Sequence, residues 1–172
     1  MSIAPPLTRI PIGVVVERRK AASPWIDFIW RPVMTLPGQP DAAPWTVLAS
    51  DTEAAIFYAG ATDIGLYRTE TSRYRDNLTS GAPSLWVVLR PTGAEPPYRL
   101  LAVTADPSEG ESFTQAGDDL VGPVPMPVPV REIVEAFVAE HHVEQVFHKR
   151  KRDRADPEAL ARRGPIDKDR DE

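Results

Sequence analysis

Two short apolar runs, residues 84–90 (SLWVVLR) and 98–104 (YRLLAVT), stand on either side of a connection, residues 91–97, that contains three prolines and a glycine. β-Branched and aromatic residues bounded by turn formers read as paired strands. A connection this short cannot carry the crossover that parallel strands need, so the pair is antiparallel. Other stretches repeat the signal. Residues 10–17 (IPIGVVVE) form a strand with Gly13 as a bulge site. Residues 25–34 alternate, with Ile26, Phe28 and Trp30 on one face and Trp25, Asp27, Ile29 and Arg31 on the other. That period of two predicts a half-buried strand, and Pro32 suits a strand terminus or an edge. Residues 45–49 and 54–59 bracket a four-residue connection and predict a hairpin. Residues 64–70 read as a further strand.

Helical signals are fewer. Residues 71–80 predict a helical turn, with Ser72 as N-cap, Tyr74 and Leu78 on one face, and Gly81 as the stop. Residues 107–119 hold one short helix. The alternate prolines of residues 123–129 predict an extended polyproline connector that stays out of any sheet. From Val130 the spacing of Ile133, Val134, Phe137, Val138 and His141 gives an amphipathic helix that ends near His142. The expected fold is mainly β within the α+β class: an antiparallel sheet or small barrel of six or seven strands, covered by the C-terminal helix. Residues 1–9 form a flexible lead, 10–148 one globular domain and 149–172 a charged tail.

Composition excludes several chemistries. The chain has 172 residues and no cysteine, which removes disulfides, thiolate metal sites and cysteine nucleophiles. No run approaches the ~18 apolar residues of a membrane span, and no basic segment followed by an apolar stretch opens the chain. A soluble, cytoplasmic protein is expected. Residues 149–172 hold nine basic and seven acidic side chains, leaving eleven basic against eighteen acidic in residues 1–148. An acidic body repels phosphates and argues against nucleic acid binding. The tail, with 16 charged residues in 24, has too little apolar surface to offset its chain entropy and is expected to be disordered. Residues 100–130 lack Lys and Arg but carry Asp106, Glu109, Glu111, Asp118 and Asp119. They predict an acidic loop or patch.

The motif inventory is sparse. His141, His142 and His148 fall within eight residues, but adjacent histidines on a helix diverge by about 100° and make poor ligands. His141 is expected at the buried margin and the other two in solvent, with no metal or other cofactor. No Gly-rich phosphate loop and no G-x-S-x-G elbow occurs. These absences argue against an enzyme. Two surface features remain. One is the outward face of the strand at residues 25–31, with Trp25, Ile29 and Arg31. The other is the basic run Lys149, Arg150, Lys151, Arg152 and Arg154. Both are candidate partner-binding residues.

The stretches IPIGVVVERRKAASPWIDFIWRPV, YRDNLTSGAPSLWVVLRP and EAFVAEHHVEQVFHKRKRDRADPEALARR resemble a bacterial domain family of unknown function. Its members are encoded beside molybdenum- or tungsten-dependent formate dehydrogenase subunits and their maturation chaperones, and some are labelled molybdopterin-guanine dinucleotide biosynthesis proteins. The resemblance implies a non-catalytic accessory protein or small subunit of a molybdoenzyme, binding a formate dehydrogenase or its maturation chaperone. The alternative is a molybdenum-cofactor biosynthesis or handling protein that binds a nucleotide, for which Arg90 and Arg99 beside the central loop would be the phosphate ligands.

Overall fold

The computed structural model describes residues 4–115 and 117–144. In chain order the elements are β1 (Thr8–Lys20), β2 (Phe28–Pro37), β3 (Thr46–Ser50), β4 (Ala54–Leu66), a 3-10 turn (Arg68–Glu70), α1 (Thr71–Leu78), β5 (Ser84–Pro91), β6 (Tyr98–Thr104), α2 (Pro107–Gln115), β7 (Leu120–Pro125) and α3 (Val128–His141). The strands make two antiparallel sheets, ordered β2-β1-β4-β3 and β6-β5-β7. The chain divides into Met1–His142 and Val143–Glu172. Within the first unit β2 runs beside β7 and β4 beside β6, so the two sheets face each other across one core.

The core follows from the alternation of β1. Ile10, Ile12, Val14 and Val16 point inward and meet Leu85, Val87 and Leu89 of β5, Val103 of β6 and Val124 of β7. Val130, Val134, Phe137 and Val138 close it from α3, as their spacing predicts. Ile133, on the same predicted stripe, is 42% exposed. Pro129 sits in the first turn of α3, where its missing amide hydrogen leaves no bond unmade.

Four segments differ from the sequence reading. First, β2 begins at Phe28, three residues after Trp25, because β1 ends at Lys20 and pairs no further. Pro32 lies well inside β2 and is tolerated because β2 is the outermost strand of its sheet. Second, residues 54–59 and 64–66 belong to one long strand, and residues 68–70 turn instead of extending. Val14 pairs with Gly60 and Val15 with Tyr58, leaving Ala59 as a bulge. Gly60 has φ of +124°, which a side chain would resist, so the strand bends there and goes on. Third, Ser72 is inside α1; the helix grows straight out of the 3-10 turn and Glu70 occupies the cap position without a side-chain bond.

Fourth, residues 120–125 are a sheet strand, not a polyproline connector. The Met126 amide donates to Pro83 O at 2.9 Å, so by alternation Val124 also faces β5 while Pro123 and Pro125 face outward. β7 is an outermost strand, and amides on that side need no partner in the sheet. A Cβ on Gly122 would come 2.7 Å from the Pro32 ring, which shows how tightly β7 lies on β2.

Candidate interaction surface

The turn that joins β1 to β2 carries the largest exposed apolar run among the described residues. Trp25 is 91% exposed and Ile29 50%, with Ile26 and Phe28 also open to water. The backbone of this turn is well held: Ala21 N donates to Asp27 O at 3.0 Å, and Trp25 N donates to Ser23 Oγ at 3.2 Å. Its indole is therefore displayed from a defined connection.

Once β2 begins, the expected alternation holds. Phe28 and Trp30 turn toward an aromatic cluster. Trp30 stacks on Phe57 at 5.7 Å and meets Trp45 and Tyr98 edge-on at 6.1 and 5.9 Å. The Arg18 guanidinium caps this cluster, 4.6 Å from the Phe28 ring centre and 5.4 Å from that of Phe57. Trp45 adopts φ of +67°, a costly conformation for a bulky residue, and its ring is held by Trp30 and Phe57. Ile29 and Arg31 lie on the opposite face of β2.

Charge on that face is internally matched. Glu17 is 7% exposed and accepts from Arg31 Nε at 2.9 Å and from Arg19 Nη2 at 3.0 Å. The hydrogen bond from Arg19 leads in holding the Glu17 carboxyl below its ordinary value, against desolvation, with Arg31 assisting. On the Phe28 face, Lys20 stands 4.0 Å from Glu53. With Arg18 on its rings, the cations flanking the apolar run are already engaged. The surface offers apolar area framed by compensated charge.

Of the sequence-predicted residues, Trp25, Ile29 and Arg31 thus lie on or beside one exposed region, with Trp25 in the turn and not on the strand. Lys149, Arg150, Lys151, Arg152 and Arg154, together with His148, lie outside the described residues.

The acidic stretch 100–130 is largely paired. Asp106 accepts from Arg73 at 3.0 Å and caps α2 by accepting from Ser108 N at 2.8 Å. Arg73 also reaches Glu70 at 2.7 Å. Asp119 takes a bidentate pair from Arg90, 2.9 and 2.7 Å. Beside Arg73 is an open cleft of about 350 Å³ lined by Tyr67, Thr69, Glu70, Asp106 and Glu109. Its lining groups also bond to residues behind it: Glu109 accepts from the Thr104 hydroxyl, and the Tyr67 amide donates at 3.1 Å to the hydroxyl of Tyr74, whose pKa burial pushes up to about 12.

Sequence reasoning missed these ties, and it missed Asn77. The Asn77 side-chain amide donates to Ser84 O and Ala105 O at 2.8 and 2.9 Å, and its oxygen accepts from Ser84 N at 3.0 Å. His142 is likewise not solvated, because its ring bonds to α1.

Among the described residues no three His, Cys, Asp or Glu side chains are placed to hold a metal ion, and no helix is long and apolar enough to cross a membrane. No curated protein and no solved structure matches the chain. A family model does: it is described as a protein of unknown function, DUF3305, it covers residues 11–151, and the chain belongs to that family.

Proposed function

We propose that this protein is a non-catalytic accessory protein or small subunit that acts by binding a larger protein of a molybdoenzyme system, a formate dehydrogenase or its maturation chaperone. One observation carries the binding part of the reading: Trp25 and Ile26 are exposed on a hydrogen-bonded turn, and Ile29 is exposed at the start of the strand that follows it. Apolar surface of this kind is what buried interface centres are made from, with tryptophan prominent among the residues that dominate binding energy. The choice of system rests on the family resemblance in the three sequence stretches quoted above. The basic run Lys149–Arg154 would add a salt-dependent contribution to the association rate.

The nucleotide-handling alternative draws less support. Arg90, one of its two phosphate ligands, is held bidentately by Asp119, and the hydrogen bond from Arg90 holds that carboxyl below its ordinary value. A phosphate would have to displace it.

The test is affinity capture of the tagged full chain from its native host at low and high salt, with metal analysis of the eluate. Co-elution of a molybdenum- or tungsten-containing oxidoreductase, lost on Trp25→Ser with Ile29→Ser, is the expected result. A metal-free monomer at both salt concentrations sinks the reading. Saturable binding of GTP by that monomer would move the assignment to nucleotide handling.

A further inference from the structure

α3 departs from its own pattern at two positions. Ile133 falls in phase with the buried Val130, Val134 and Phe137, and is still 42% exposed. Glu140 stands in the last turn, where the carbonyl end of the helix disfavours an anion. Neither position helps the isolated body to fold.

Both line one groove of about 370 Å³ between α3 and Thr8 at the start of β1. Its apolar wall is Pro129, Ile133, Ala136 and Phe137. Glu132 lines it as well. Glu132 and Glu140 are exposed and lie eight residues apart, about 12 Å along the helix axis, with Ile133 and Ala136 between them.

Charge decides what can cover this groove. Among the described contacts Glu132 meets no cation, and Glu140 has only His141, 3.7 Å away and charged only when protonated. Glu135, the third glutamate of α3 between them, pairs with Arg131 at 3.5 Å. Residues 1–148 carry eighteen acidic against eleven basic side chains, so the wider field also draws cations. A second copy fits poorly. Two α3 helices laid antiparallel about Ala136 would set the Glu132 of one copy against the Glu140 of the other at both ends, like charge on like charge. An uncharged apolar segment would desolvate both carboxylates and give them no counter-charge. A basic amphipathic helix meets both demands. Residues three or four apart share one of its faces, so an aliphatic side chain can lie over Ile133 and Ala136 while cations a turn to either side reach Glu132 and Glu140.

We propose that the α3 groove docks a basic amphipathic helix of a partner protein, seated by one aliphatic side chain and held by two cations. The site is separate from the apolar turn at Trp25 and does not depend on it.

The probe is a fluorescently labelled synthetic peptide that repeats Lys-Ala-Ala-Leu-Ala-Ala-Ala twice and ends in a further Lys, titrated with the full chain. It should bind saturably, one per chain, and more weakly as salt rises. Ile133→Ser should weaken it about tenfold, the scale of one buried aliphatic side chain. Glu132→Gln with Glu140→Gln should weaken it at least as much at low salt and flatten the salt dependence, while Glu135→Gln should leave it within about twofold. The absence of saturable binding, binding unchanged in both groove variants, or equal binding of a peptide with Ala in place of each Leu overturns the proposal. So does a full chain that sediments as a dimer and becomes a monomer on Ile133→Ser, which gives the groove to a second copy.

Discussion

Trp25 and Trp86 are chemically identical and are treated oppositely by this fold. Trp86 lies in β5 under α2, so close that a Cβ on Gly110 would come 2.4 Å from its ring. Around it, Asn77, Asp106 and Arg73 tie α1, α2 and the strand ends together over sequence separations of up to 33 residues. Trp25 is 91% exposed, and its turn is fastened only through main-chain groups and Ser23 among the described contacts. One tryptophan serves folding. The other adds apolar surface to water and gives the isolated body no packing in return, which is why the reading of a partner surface begins there.

The sharpest way to break this contrast is at Asn77. Asn77→Ala leaves Ser84 N, Ser84 O and Ala105 O without their side-chain partner in a buried seam. At 1–3 kcal/mol for an unsatisfied buried group, partly relieved by water, the expected loss is about 3 kcal/mol. Urea unfolding monitored by tryptophan fluorescence measures it, and a loss under about 1 kcal/mol would mean that the seam is held by packing alone. Gly110→Ala comes next. The added methyl must displace the Trp86 ring, for an overpacking cost of about 2 kcal/mol. A neutral outcome would show that α2 can lift off β5, and the two tryptophans would then differ less than their exposures suggest.

How much of this was readable beforehand depended on whether the signal was local. The 84–90 and 98–104 pair, the hairpin around residues 50–53 and the α3 stripe with its end at His142 were legible because period and turn residues lie within each segment. The start of β2 was not. Alternation runs unbroken through residues 25–31, and nothing in it reveals that β1 stops at Lys20, leaving Trp25 without a partner strand. The prolines at 123 and 125 pointed away from a sheet, because a sequence does not say which strand will be outermost. The Asn77–Ala105 bond, the Arg73–Asp106 pair and the His142–Thr71 contact join residues 28 to 71 positions apart. No spacing rule reaches that far. At the candidate surface, Ile29 and Arg31 were placed on the correct face of β2, while the Glu17 carboxylate that anchors Arg31 had no local cue.

A gentler probe of the tied region is acid. The Asp119 carboxyl is held below its ordinary value, chiefly by the hydrogen bond from Arg90. A carboxyl depressed on folding contributes stability that is complete above its unfolded value, about pH 4, and is lost as pH falls through its folded value. Asp119→Asn should lower the urea midpoint at pH 6 and flatten its decline below about pH 4. Glu17, also held low, adds to the same decline. If the variant declines as steeply as the parent, Asp119 is not among the groups that set acid sensitivity.

The smallest expected effect on stability is at Trp25 itself. Trp25→Ser removes an indole that is 91% exposed and leaves the Ser23 bond to its own amide in place. Surface changes away from caps, cavities and buried networks stay within about 0.5 kcal/mol, and the urea midpoint should hold to that. A loss above about 1 kcal/mol would mean that the indole packs on the body in solution, and the apolar turn would have to be reread as part of the fold. An unchanged midpoint together with loss of captured partner separates binding from folding at a single residue. Trp86→Ser gives the opposite signature, because a change that unseats α2 lowers stability and capture together.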